Sequence, residues 1–344
     1  MRLGRRSRPP RRLAIAALAL GLALTAAACG GGRDALTVYS GRSENLVGPL
    51  LERFSQETGI AIDVRYGDST DLALLIAEEG ERTPADVFLS QSPGTVEFLA
   101  GKGLLAPISE QTLAAVAGDG YRDPRGRWVG ITARQRVLVY NRELVPEDAL
   151  PQSVFDLTRP EYRGRVAVAP GNASFQDFVT AMRQAVGDDE TRAWLRGMAA
   201  NGSPAYANNN AIVEAVSRGE VPMGLVNHYY NMRFLAEDPS LPSRNYVFPN
   251  GDLGALVLVS TASILASTDR AADAERFIAF LLGSEAQTYF AEETFEYPLA
   301  VGAAPPAGLP PLSAVNAPAI DISTLGAGLE ETARLIRESG LEGS

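Results

Sequence analysis

A chain of 344 residues with a formal charge of −10 is long enough to build two α/β lobes and too acidic to favour a nucleic-acid partner. Its single cysteine, Cys29, excludes an internal disulfide, and with no other cysteine beyond the leader the rest of the chain has no cysteine-based zinc site and no thiol catalysis. A serine triad would have to use the single histidine, His228, and no Gly-x-Ser-x-Gly elbow accompanies it, so the composition argues against a hydrolase.

The chain opens with Arg2, Arg5, Arg6, Arg8, Arg11 and Arg12, followed by an apolar run over residues 13–24 that is too short for a comfortable membrane span. Small residues then lead into Cys29 and Gly30. This pattern predicts a lipoprotein signal over residues 1–28, lipidation at Cys29 and a flexible tether over residues 29–34. Ala26 stands where leucine is more usual, which leaves ordinary signal cleavage as the second reading. Removing six arginines and no acid takes the charge from −10 to −16.

From residue 36 strands and helices alternate. A strand over 36–39 and a turn over 40–43 precede Leu46, Val47, Leu50, Leu51 and Phe54, which recur at helical spacing. Gly59 is the expected C-cap, and Pro49 predicts a late start or a bend. Strand Ala61–Tyr66, helix Ser69–Glu79, a strand over 86–89 and a helix over 93–100 follow. Such parallel units bind ligands where loops leave the carboxyl ends of their strands, here 40–44, 67–71 and 90–94.

Residues 129–140 read as a long extended crossover into a second lobe. That lobe would hold a strand over 165–169, a polar loop over 170–174, a helix from Phe175, a helix with Trp194 and Leu195, and a helix over 211–218. Residues 245–260 read as the return crossover. Helices over 271–282 and 284–291, a proline-rich loop through Pro305, Pro306, Pro310 and Pro311, and an amphipathic segment over 325–338 complete the chain.

One stretch stands apart. Asn227-His228-Tyr229-Tyr230 follows the apolar run Met223-Gly224-Leu225-Val226. In a continuing strand the two tyrosines would point to opposite faces; in the first turn of a helix capped by Asn227 both lean over the helix mouth. A neighbouring pair of phenols suits two chemistries: packing or stacking on an organic ligand, or, after loss of their protons, binding a strong Lewis acid such as Fe(III).

Five segments in order carry a resemblance: Val38-Tyr39-Ser40-Gly41-Arg42, residues 84–90, residues 134–141, Leu225-Val226-Asn227-His228-Tyr229-Tyr230, and residues 248–256. Together they make the chain similar to the bacterial ferric-ion-binding proteins, the extracytoplasmic receptors of iron ABC importers. The resemblance implies an α/β, two-lobed clamshell of the periplasmic-binding-protein type with two extended interlobe crossovers. Residues 35–131 with 253–305 would form one lobe, and 132–252 with 306–344 the other. It implies binding rather than chemistry on a substrate, Fe(III) as the transported ligand, an ABC permease as partner, and a monomer held outside the cytoplasm by its lipid.

By the same resemblance Tyr229, Tyr230 and Tyr140 match iron ligands, and Asn209 and Asn227 match asparagines that orient them. The facing lobe departs from the pattern. Ser43 stands in place of a histidine ligand and Gln91 in place of a glutamate. Glu44 is the available carboxylate, with a role in the first turn of its helix as the alternative. Three phenolates half-fill an octahedral site, so a carbonate or citrate held by Arg134 and Arg42, with Asn172 and Ser174, would complete it. His228 is read as supporting or solvent-facing, because the tyrosines direct its side chain elsewhere. The alternative reading keeps the fold and binds a small organic anion such as a phosphonate, or an iron chelate, with the tyrosines as cleft walls.

Overall fold

The computed structural model describes residues 35–343; the expected leader, Cys29 and the tether lie outside them. Strand β1 (Ala35–Ser40), helix α1 (Glu44–Thr58), β2 (Ala61–Tyr66), α2 (Ser69–Glu79), β3 (Val87–Ser90), α3 (Pro93–Gly101), β4 (Leu105–Ala106) and α4 (Glu110–Ala114) come first. The long strand β5 (Val129–Asn141) leads to β6 (Val166–Ala167), α5 (Ala173–Val186), α6 (Asp188–Ala200), α7 (Asn209–Ser217), β7 (Met223–Asn227), α8 (His228–Glu237) and β8 (Ser243–Tyr246). Strand β9 (Val257–Leu265), α9 (Ala271–Leu281), α10 (Ser284–Glu292), β10 (Tyr297–Pro298) and α11 (Leu329–Ser339) finish the order.

The helices follow from their apolar spacing. In α1 the buried residues are Leu46, Val47, Leu50, Leu51 and Phe54, and Gly59 ends the helix in the left-handed region at φ 73°. Pro49 neither delays nor ends it: the helix runs from Glu44 straight through the proline. In α11 the buried stripe is Leu329, Thr332, Leu335 and Ile336. Among the described residues no helix is long and apolar enough to cross a membrane.

The strands run in the order β2-β1-β3-β9-β5-β7-β6. All thirteen residues of β5 are buried, and the strand changes partner midway. Its first part pairs antiparallel with β9, ending at Gln135 opposite Val257. Its second part pairs with β7, starting at Arg136 opposite Asn227. At ~3.3 Å per residue β5 extends for about 40 Å and is common to the two lobes, with β9 antiparallel beside it. The fold is thus the two-lobed α/β clamshell that the sequence implied. The return strand lies later than residues 245–260, because Asn245 and Tyr246 still belong to β8 and a turn with Asn250 at φ 57° intervenes.

Candidate metal centre

Strand β7 ends at Asn227 and α8 begins with His228, so Tyr229 and Tyr230 fall in the first helical turn. Their rings stack with centroids 4.1 Å apart at 28°. Tyr229 is fully buried and Tyr230 is 7% exposed. Asn227 occupies the N-cap position, but its side chain makes no capping bond. Its Nδ2 instead donates to Ser174 Oγ at 3.2 Å, and Oδ1 has no partner among the described residues.

Among the described residues the Tyr229 hydroxyl has no hydrogen-bond partner. Burial raises its pKa well above the ordinary value, and the proximity of Tyr230 and Glu296 adds to this; Arg42 and Arg134 pull the other way. The phenol therefore keeps its proton until something more electropositive replaces it. An orphaned buried oxygen costs free energy in the ligand-free protein, a cost that a cation bound to the phenolate would offset.

Beside Tyr230 opens a cleft of about 340 Å³ lined by Gly41, Arg42, Ser43, Glu44, Tyr66, Gly67, Asp68, Gln91, Asn172, Asn208, Asn210 and Tyr230 itself; Tyr229, stacked on Tyr230, is not part of its lining. The three strand-end loops meet here. Gly41 N donates to Leu89 O at 2.8 Å, Gly67 N to Ser40 O at 3.1 Å, and Gln91 N to Ser69 Oγ at 3.0 Å. A Cβ on Gly41 would lie 1.9 Å from Ser69 Oγ, so only glycine permits this approach. Among the described residues no three His, Cys, Asp or Glu side chains gather as a metal cluster; the oxygen donors on offer are phenols and separate carboxylates.

Of the lining side chains, Tyr66, Asp68, Asn208 and Asn210 were not singled out from the sequence, although Asp68 falls in the loop 67–71. Asp68 caps α2 by accepting from Thr70 N at 2.8 Å, and burial raises its pKa. Tyr66 is raised first by burial and then by Glu44 and Glu52. Asp68 looked like ordinary cap chemistry; its place immediately after β2, beside the other two loops, was the available signal. Glu44 is exposed at the start of α1, while Ser43 Oγ is turned to Asn45 Oδ1 at 2.7 Å.

The arginines sit deeper than expected. Arg42 is fully buried and paired with Glu296, with Nη1 to Oε1 at 3.0 Å, Nη2 on Oε2, and Nη1 to Ser260 Oγ at 2.6 Å. Its fork is thus already used by a carboxylate. Arg134 does not line the cleft. It is 1% exposed, donates to the Gln91 carbonyl, and lies 3.4 Å from Ser260 Oγ. Ser174 Oγ donates to Asn172 Oδ1 at 2.6 Å, and Asn209 Nδ2 lies 3.4 Å from the same oxygen. Asn172 and Asn209 thereby brace the loop ahead of α5.

Tyr140 is not brought to the pair. It stands opposite Met223, four ladder positions along β5 from the Arg136–Asn227 pair, or ~13 Å at strand rise. Its charged surroundings are Glu147, Arg244 and Arg142. His228 is 3% exposed, with Nδ1 accepting from Gln135 N at 3.1 Å and Nε2 lying 2.8 Å from Phe295 O. Burial lowers its pKa to about 4, so the ring is neutral at pH 7 and faces protein on both nitrogens.

Comparison with known proteins accords with this arrangement. The family model for bacterial extracellular solute-binding proteins matches residues 82–322. A protein of Serratia marcescens described as "Fe(3+)-binding periplasmic protein" is 35% identical over 309 residues, which cover 89% of this chain and 90% of the relative. Iron-bound HitA from Pseudomonas aeruginosa is similar with a TM-score of 0.85 at 36% identity, over 89% of this chain and 99% of that one. A Trichodesmium protein (IdiA, FutA) solved with iron and citrate ligands gives a TM-score of 0.75 at 26% identity, over 89% and 99% of the two chains. The chain belongs to the bacterial extracellular solute-binding proteins, within their ferric-ion-binding family.

Proposed function

We propose that this chain captures ferric iron outside the cytoplasm, in the cleft beside Tyr230 and its stacked neighbour Tyr229, and delivers it to an ABC permease. The observation that carries the reading is Tyr229, its ring stacked on Tyr230 and its buried hydroxyl without a partner among the described residues. Fe(III) replaces both phenol protons, and the phenolates satisfy a hard, oxygen-preferring cation. Glu44 and Asp68, from loops lining the same cleft, supply carboxylates. The remaining positions go to a small anion, carbonate or citrate, beside Asn172, Asn208 and Asn210. The chain acts as a monomeric carrier without turning over its ligand, tethered through a lipid on Cys29. The rings are stacked on each other, which leaves them less face to offer as walls for an organic anion.

Thermal unfolding of the chain lacking residues 1–28 tests this. Fe(III) nitrilotriacetate should raise the midpoint, since a ligand held only by the folded state at a hundredfold excess over Kd adds about 2.7 kcal/mol. Tyr229→Phe and Tyr230→Phe should each abolish most of the rise. A rise with organophosphonate and none with iron would overturn the reading.

A further inference from the structure

The chain's single histidine is not aimed at the cleft, yet it is held on every side. Along β5 successive N–H groups point to opposite neighbours. Arg136 N turns to Leu256 O at 2.8 Å, on the β9 side, so Gln135 N faces the β7 side. There the ladder has run out, because β7 ends at Asn227, opposite Arg136, and turns into α8. His228 Nδ1 fills the gap, accepting from Gln135 N at 3.1 Å. An amide N–H only donates and a carbonyl only accepts, so the two contacts fix the tautomer. Nδ1 is bare, and Nε2 carries the hydrogen and donates to Phe295 O at 2.8 Å.

Phe295 has a left-handed backbone, φ 58°, a strained state for a non-glycine residue that its surroundings must impose. The next residue is Glu296, which holds Arg42. The His228 carbonyl accepts from Asn245 Nδ2 at 2.8 Å, and its ring stands edge-on to Tyr229 at 6.0 Å and beside Tyr297 at 5.2 Å. One imidazole therefore joins the strand where it changes partner, the helix that presents the tyrosines, and the segment that positions Arg42.

We infer that His228 is a positioning residue: it locks the first turn of α8 to the crossover strand and to Phe295, and so fixes the Tyr229 phenol in the pose that takes the cation. The inference rests on the ferric-iron reading. Without this clamp the helix start would be free to rotate, and bound iron would sit on a looser phenolate.

The test uses His228→Leu, which removes both ring contacts, and His228→Asn, which retains an acceptor near Nδ1 but cannot reach Phe295. Both are loaded with Fe(III) nitrilotriacetate and challenged with excess citrate. Both should release iron faster than the parent, the leucine variant at least tenfold, with the visible phenolate-to-iron band displaced in wavelength. Release within twofold of the parent at an unchanged band position would overturn the role, even if the melting temperature fell. Nitrogen-15 histidine labelling of the unmodified chain gives one ring system and decides the matter if a variant does not fold. A fixed Nε2-protonated ring at pH 7 is expected, and a ring exchanging between tautomers contradicts the clamp. A parent without any iron band would sink the iron reading itself, while the ring signals would still judge the clamp.

Discussion

Arg42 and Glu296, distant in the chain, meet as a fully buried pair with both guanidinium arms on the carboxylate. Burial alone would raise the Glu296 pKa, but the Arg42 charge and hydrogen bonds outweigh it and hold the carboxyl below its ordinary value. Glu296→Ala would leave a buried guanidinium uncompensated, and a loss of about 3–5 kcal/mol is expected in urea unfolding. A depressed carboxyl contributes its stability above the ordinary glutamate range and loses it as pH falls through the lowered folded value. The difference between parent and variant should therefore shrink only in acid.

The second prediction sets stability against function. The Tyr229 hydroxyl is buried without a partner among the described residues, so Tyr229→Phe removes an unsatisfied group and keeps the ring stack. The iron-free variant should be as stable as the parent or more so, by up to about 1 kcal/mol, while its iron affinity collapses. Calorimetry with and without Fe(III) reads both quantities. A variant clearly less stable without iron would mean that the hydroxyl has a partner after all.

Asp177 of α5 accepts from Ser92 Oγ, at the start of α3, at 2.7 Å. Burial pushes its carboxyl up to about 7, although the Ser92 bond, Arg134 and Arg136 pull it down. A carboxyl raised in the folded state holds a proton that the unfolded chain has lost, so stability declines as pH rises from about 4 to about 7, by about 4 kcal/mol at most. Asp177→Asn should flatten that decline, gaining more at pH 8 than at pH 5. Melting temperatures across that range check it, and equal shifts at both pH values would contradict it.

Much of this was legible because it is local. Apolar spacing located α1 and α11, and the turn from β7 into α8 followed from two adjacent tyrosines that a strand would have separated. What failed was long-range. Tyr140 sits on a strand shared with the site but several residues too far along it. Arg134 read as a free fork because the Gln91 carbonyl that takes it is supplied by a distant loop. Glu296 drew no notice, since nothing near it in the chain announces Arg42. Asp68 was hidden by a cap function that explains it fully on its own. The Asn227 side chain is turned instead to Ser174, also remote in sequence, to which its Nδ2 donates.

The facing side of the cleft gives a fourth prediction. Glu44→Gln and Asp68→Asn remove one charge each while keeping size, and asparagine remains a good cap for α2. Each should weaken iron binding by about tenfold or more, as loss of a charged oxygen donor warrants, with the melting temperature of the iron-free chain little changed. Competition with citrate measures this. If neither substitution matters, the anion alone completes the iron on that side.

The central claim is that Tyr229 and Tyr230 bind Fe(III) as phenolates, and the visible spectrum of the iron-loaded chain tests it most directly. A phenolate-to-iron charge-transfer band should appear on loading, weaken in Tyr229→Phe and in Tyr230→Phe, vanish in the double variant, and persist in Tyr140→Phe. Loaded protein that remains colourless, or a band untouched by the double substitution, would contradict the account.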